Sequence, residues 1–126
     1  MEHVLVIDED PRRAGALTLL LEDFGCRVQQ AGGAAEALVK LHRDCFDVVV
    51  LDLELSLMES WIILRRARQE GGAFPPIVVL ASTEEAAEWI GDYRPAAFLV
   101  KPAPTFSLLG AIKGVSATLQ AGAAQH

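Results

Sequence analysis

No stretch of the 126-residue chain holds the about 18 consecutive apolar residues that a membrane-crossing helix needs. The opening residues, MEHVLVIDED, lack the basic stretch and small-residue cleavage site of a secretory signal. The expected compartment is therefore the cytoplasm. Positive charge is also scarce: 11 Lys and Arg stand against 17 Asp and Glu, a formal net charge of −6. That balance argues against nonspecific nucleic-acid binding, because attraction to phosphates requires the opposite sign. There are only two cysteines, Cys26 and Cys45, at no metal-binding or redox spacing. In a cytosolic protein they are expected to be buried structural thiols, and no role is assigned to them. Internal repeats, linkers and low-complexity stretches are absent, and no acid follows Lys101.

What is present is apolar. Hydrophobic residues make up 52% of the chain, enough for one compact domain and too much for a disordered one. Short apolar runs alternate with segments of helical period. HVLVI (3–7) ends in Asp8, and Val48 to Leu51 ends in Asp52. Ile77 to Leu80 follows Pro76, and Ala97 to Val100 ends in Lys101. Cys26 to Gln30 reads as a further short strand. Continuous apolar runs of this length suit strands buried on both faces.

Between them, Leu17, Leu20, Leu21 and Phe24 share one helical face. Asp10 before Pro11 is a natural N-cap, and Gly25 a natural stop. Ala34, Ala37, Leu38 and Leu41 repeat the spacing after Gly32-Gly33. A third helix is expected from near Met58 to Glu70, and a short fourth over Glu84 to Ile90. The last helix carries Phe106, Leu109, Ile112 and Leu119 on its apolar face, weakened locally by Gly110 and Gly114. Five β-α units predict an α/β domain with a parallel sheet covered by helices on both sides. The domain is expected over 1–121, with a disordered tail over 122–126.

In such a sheet, ligands bind beyond the carboxyl ends of the strands. Asp8 and Glu9, Asp52, and Lys101 end three different strands, so they should meet on one rim. Alone, an Asp at a strand end is more often a helix cap, and a Lys before Pro a solvated surface residue. Together their chemistry is coherent. Close carboxylates raise one another's pKa unless a cation joins them, and a hard divalent ion such as Mg²⁺ suits oxygen ligands and a phosphate. A carboxylate can attack phosphorus to form an acyl phosphate, with the metal and a lysine stabilising charge on the transferring oxygens. Asp52, ending the central run, suits the nucleophile. Asp8 and Glu9 suit the metal, and Lys101 the phosphoryl oxygens.

These stretches, VLVIDEDP (4–11), FDVVVLDLELSLMES (46–60), PIVVLAS (76–82) and FLVKP (98–102), resemble the CheY-like receiver domains of bacterial two-component signalling. The resemblance runs from Val4 to about Leu119. It implies a doubly wound, flavodoxin-like (βα)5 parallel sheet of strand order 2-1-3-4-5. It implies that Asp52 accepts a phosphoryl group from a histidine kinase or phosphotransfer protein, and that Lys101 is the family's lysine. Mg²⁺ would be held by Asp8, Glu9, Asp52 and the backbone carbonyl of Glu54. Phosphorylation would switch partner binding without making the chain a turnover enzyme, and family members often pair through the last helix.

Several positions depart from the family. Ala81 stands where a switch Thr or Ser is usual, with Ser82 one residue later. Phe98 replaces the commoner Tyr, and Ser56 and Ser60 replace the usual Pro and Gly. The fourth helix is short, and Arg94-Pro95 replaces Gly-Ala. These departures support an alternative, a receiver that binds partners independently of phosphorylation. Trp61 is expected in the core, Ile62 in an exposed apolar patch, and Trp89 either packed or anchoring a partner. A haloacid-dehalogenase-like phosphohydrolase is disfavoured, because Arg12 stands where that pattern has Thr or Val and no acids follow Lys101.

Overall fold

The computed structural model describes residues 1–54 and 56–124. Five strands and five helices alternate in it: β1 (His3–Ile7), α1 (Pro11–Asp23), β2 (Arg27–Ala31), α2 (Ala34–Arg43), β3 (Val48–Asp52), α3 (Leu57–Glu70), β4 (Ile77–Ala81), α4 (Ala86–Ile90), β5 (Ala97–Val100) and α5 (Thr105–Ala124). All strand pairings are parallel, in the order β2-β1-β3-β4-β5. The predicted α/β architecture and strand order are the ones observed.

The strand sequences explain the order. VVVLD and IVVLA are buried at every position, as suits strands covered on both faces, whereas RVQQA is polar and lies at an edge. Successive side chains on a strand point to opposite faces. Leu5, Ile7, Val49, Leu51 and Val79 accordingly pack with residues of α2, α3 and α4. Val4, Val6, Val48, Val50, Val78 and Leu80 pack with those of α1 and α5. Each fully buried Val, Leu or Ile stabilises by about 1.5–3 kcal/mol, a margin that lets the rim of the sheet carry buried charge.

Helix ends follow local chemistry. The Asp10 carboxylate caps α1 by accepting from the Arg12 N–H at 2.9 Å, with Pro11 in the first turn. The chain leaves α1 through Gly25, whose φ of +88° few other residues adopt. Phe24, expected on the apolar face, is instead the C-cap and is exposed. Helical spacing no longer applies to it, because the helix ends at Asp23. Phe106 is likewise exposed, in the first turn of α5, while Leu109 and Ile112 are buried as expected. Cys26 is buried as expected, whereas Cys45, in the loop between α2 and β3, is exposed. The Leu119 side chain lies outside the described residues.

The strand expected over Cys26–Gln30 is shifted by one residue, and α4 is shorter than expected, continuing as a 3₁₀ turn over Gly91–Tyr93. Of the segment 122–126, residues 122–124 belong to α5, and 125–126 lie outside the described residues.

Candidate functional site

The direction of chain winding reverses between β1 and β3, the adjacent strands from which the chain turns to opposite sides of the sheet. Their register pairs Ile7 with Leu51, so the next residues, Asp8 and Asp52, stand side by side at the carboxyl rim. Backbone bonds carry the ladder past the strand ends. The Asp8 N–H donates to the Ala31 carbonyl at 3.0 Å, the Leu53 N–H to Leu80 at 2.9 Å, and the Lys101 N–H to Ala81 at 2.7 Å. The charged groups are thus mounted on the sheet rather than on loose loops.

Asp52 is almost completely buried. Lys101 Nζ donates to its Oδ1 at 2.8 Å and lies 2.7 Å from Oδ2, while the Glu54 N–H donates to Oδ1 at 2.8 Å. Burial and the neighbouring Asp8 charge push the Asp52 carboxyl above its ordinary pKa, and Lys101 and the Glu54 amide only partly offset them.

Asp8 is buried as well, with a side chain only 4% exposed. Burial alone would raise its pKa, but Arg13 and the Asp10 N–H outweigh burial and hold it below the usual range. The Arg13 guanidinium grips Asp8 as a fork, Nε to Oδ2 at 3.1 Å and Nη2 to Oδ1 at 2.9 Å. The two neighbouring carboxylates therefore depart in opposite directions: Asp8 has a close bidentate partner, whereas for Asp52 desolvation dominates.

Around this pair, Lys101 Nζ lies 3.8 Å from Glu54 Oε1, and the Ser82 hydroxyl donates to the same carboxylate. Asp8, Arg13, Asp52, Ser82 and Lys101 line a cleft of about 800 Å³ that reaches toward Thr105 and Leu108 of α5. A larger groove of about 1070 Å³ lies elsewhere, around Phe74, Ile77 and Tyr93, and touches neither carboxylate. The chemistry places the site at the smaller one.

Of the residues singled out in the sequence, the fold brings together Asp8, Asp52, Glu54, Ser82 and Lys101. Glu9 is exposed beside them. Ala81 is the buried last residue of β4 and offers no polar group, and Ser82 lies just past the strand end, at the rim. Phe98 is half-buried on β5, against the core beneath α3 and α4. Trp61, expected in the core, is 38% exposed with the Arg65 guanidinium 4.9 Å over its ring, whereas Ile62 is partly buried against the core instead of extending an exposed patch. The rotation of α3 decides both. Trp89, also partly exposed, joins Met58, Trp61 and Tyr93 in lining an apolar groove of about 770 Å³.

Sequence reasoning missed Arg13. A signal existed: Arg12 and Arg13 fall in the first turn of α1, where the helix dipole disfavours cations. A cation held there needs a nearby acid.

The donor set suits a hard divalent ion. Two buried carboxylates side by side supply oxygen ligands of the kind such an ion takes. Among the described residues no three His, Cys, Asp or Glu side chains group as metal ligands, so further ligands would come from backbone and water, which Mg²⁺ usually retains.

The family model of the response regulator receiver domain matches residues 4–113. The chain belongs to that family. Protein PilH of Pseudomonas aeruginosa is 27% identical over 120 residues, 93% of this chain and 99% of that protein. Among solved structures, chemotaxis protein CheY4 of Vibrio cholerae aligns with a TM-score of 0.78 at 26% identity, covering 91% of this chain and 98% of that one. Response regulator TrrA of Thermotoga maritima, solved in complex with Mg²⁺-BeF, aligns with a TM-score of 0.81 at 22% identity, covering 91% and 99%. Of other curated relatives the chain spans less. It covers 64% of a 14.6 kDa protein of Leptolyngbya boryana that is 33% identical over 84 residues. It covers 36% of the probable transcriptional regulatory protein TcrX of Mycobacterium tuberculosis and 5% of hybrid signal transduction histidine kinase L of Dictyostelium discoideum.

Proposed function

We propose that this receiver domain accepts a phosphoryl group on Asp52 in a Mg²⁺-dependent reaction and thereby switches partner binding in two-component signalling. The observation that carries the reading is the Lys101 ammonium within 2.8 Å of both Asp52 oxygens, with Asp8 alongside on the rim. An ionised Asp52 oxygen attacks the phosphorus of a phosphohistidine or small acyl phosphate. The P–N or P–O bond of the donor breaks, and its electron pair leaves with the donor. Lys101 offsets part of the effect of burial on the Asp52 charge, then follows that charge onto the phosphoryl oxygens. Asp8, Asp52 and the Glu54 carbonyl would hold Mg²⁺, with Glu9 beside them. Bound there, the ion would neutralise charge on the transferring oxygens. The donor is a histidine kinase or phosphotransfer protein, and the domain is a signalling module rather than a turnover enzyme. Self-association through α5 belongs to the same proposal.

Intact-mass spectrometry after incubation with acetyl phosphate and Mg²⁺ tests this. One phosphoryl adduct is expected, lost with EDTA and lost in Asp52→Ala. An unmodified native chain, with beryllofluoride also failing to bind, would overturn the reading.

One observation favours a second reading, a module that binds partners without phosphorylation. Ala81 ends β4 with no hydroxyl to follow a phosphoryl group, and Ser82 is engaged by Glu54. Under that reading beryllofluoride leaves the emission of Trp61 and Trp89 unchanged.

A further inference from the structure

The Arg13 guanidinium occupies one edge of the Asp8 carboxylate, a ligand of the proposed metal. Both Asp8 oxygens accept from it, at 2.9 and 3.1 Å, and Oδ1 also accepts from the Asp10 N–H at 3.0 Å. Mg²⁺ demands its own oxygen at about 2.0–2.1 Å in near-octahedral geometry. A forked guanidinium and a divalent ion cannot share one carboxylate edge, and as like charges they repel. Asp52 is already matched by Lys101, so each buried carboxylate has a cation of its own and an incoming ion meets a pair already neutralised. Arg13 also has somewhere to go. Its side chain is 43% exposed, and its Nη1 lies 3.3 Å from Asp10 Oδ2, nearer the surface.

We propose that Arg13 is a resident cation that competes with the divalent ion for Asp8, so that metal enters only as the guanidinium swings onto Asp10 or into solvent. Arg13 is thus a gating residue that sets the metal requirement of the site. This deepens the phosphoryl-acceptor reading and rests on it for its consequence, though the competition itself is a binding equilibrium.

Isothermal titration of the full chain with Mg²⁺, and separately with Mn²⁺, tests the competition directly. Arg13→Met removes the competitor. Arg13→Gln keeps a hydrogen-bond donor and guards against loss of fold, which circular dichroism checks. Both variants should bind Mg²⁺ roughly tenfold more tightly than the native chain, the scale of a partly exposed ion pair to a buried carboxylate. In an Asp8→Asn background the Arg13 substitution should lose that effect, since the competed group is gone. The half-saturating Mg²⁺ for acetyl phosphate labelling should fall by the same factor. Equal or weaker Mg²⁺ binding in both variants would overturn the proposal, making Arg13 a bystander or a support for Asp8. Tighter binding without labelling of Asp52 in any variant would sustain the competition and sink the phosphoryl-acceptor reading instead.

Discussion

Asp52 sits in conflict with its surroundings. Burial and Asp8 raise its pKa, so its charged form is less favourable in the folded chain than in the unfolded one. A carboxyl with a raised folded-state pKa costs stability above that pKa, and the cost is relieved as pH falls through it. Asp52→Asn keeps the shape and an acceptor for the Glu54 N–H while removing the charge. It should stabilise the protein at pH 7 by about 1 kcal/mol, a rise in Tm of roughly 3–5 °C for a domain of this size. The advantage should shrink as pH falls toward the Asp52 pKa. Thermal melts of both proteins across pH 4.5–8 check the sign, and an Asn variant less stable than native at pH 7 would mean that Lys101 outweighs burial. Asp8 runs the other way. Its lowered pKa contributes stability above the unfolded carboxyl value, lost as pH falls through the folded one.

Among the elements, α3 shows how a helix can serve its neighbours at some cost to itself. Ser56 caps it, accepting from the Glu59 N–H at 3.3 Å, and Ile63 and Leu64 bury its inner face. Ser60 lies on that buried face at 1% exposure, and its hydroxyl has no hydrogen-bond partner among the described residues. An unsatisfied buried hydroxyl costs about 1–3 kcal/mol, and Ser is also a weaker helix former than Ala. Ser60→Ala should therefore stabilise the domain by about 1 kcal/mol, read as a higher urea midpoint with an unchanged slope. A lower midpoint would show that the hydroxyl has a partner in solution.

For the whole molecule, stability is unevenly spread. The three inner strands are buried almost throughout and bind two apolar layers into one body. By contrast α4 is five residues long and buries only Ile90, too short a helix to hold itself without packing. Native-state hydrogen exchange should find the amides of β1, β3 and β4 slowest, near the global unfolding free energy, and those of 86–93 opening at a much lower one. Comparable protection in α4 and the inner strands would contradict this. The groove of Met58, Trp61, Trp89 and Tyr93 straddles that weak segment, so a change at the carboxyl rim that spreads to it should register in tryptophan emission.

Much of this architecture is written locally in the chain. Runs such as VVVL and IVVL demand burial on both faces, and the β-α alternation then leaves a parallel sheet as the simplest solution. Acids and a lysine closing those runs must reach its carboxyl rim, so Asp8, Asp52 and Lys101 are legible in the order of residues alone. Other features depend on how helices rotate and where half-exposed side chains reach. Helical spacing does not foretell that α1 ends before Phe24, or that α3 turns Trp61 outward and Ile62 inward. The Arg13 fork on Asp8 and the Ser82 bond to Glu54 join residues on different elements or loops. Only the tertiary structure decides them, because charge pairing depends on distance and burial, and neither is written in the order of residues.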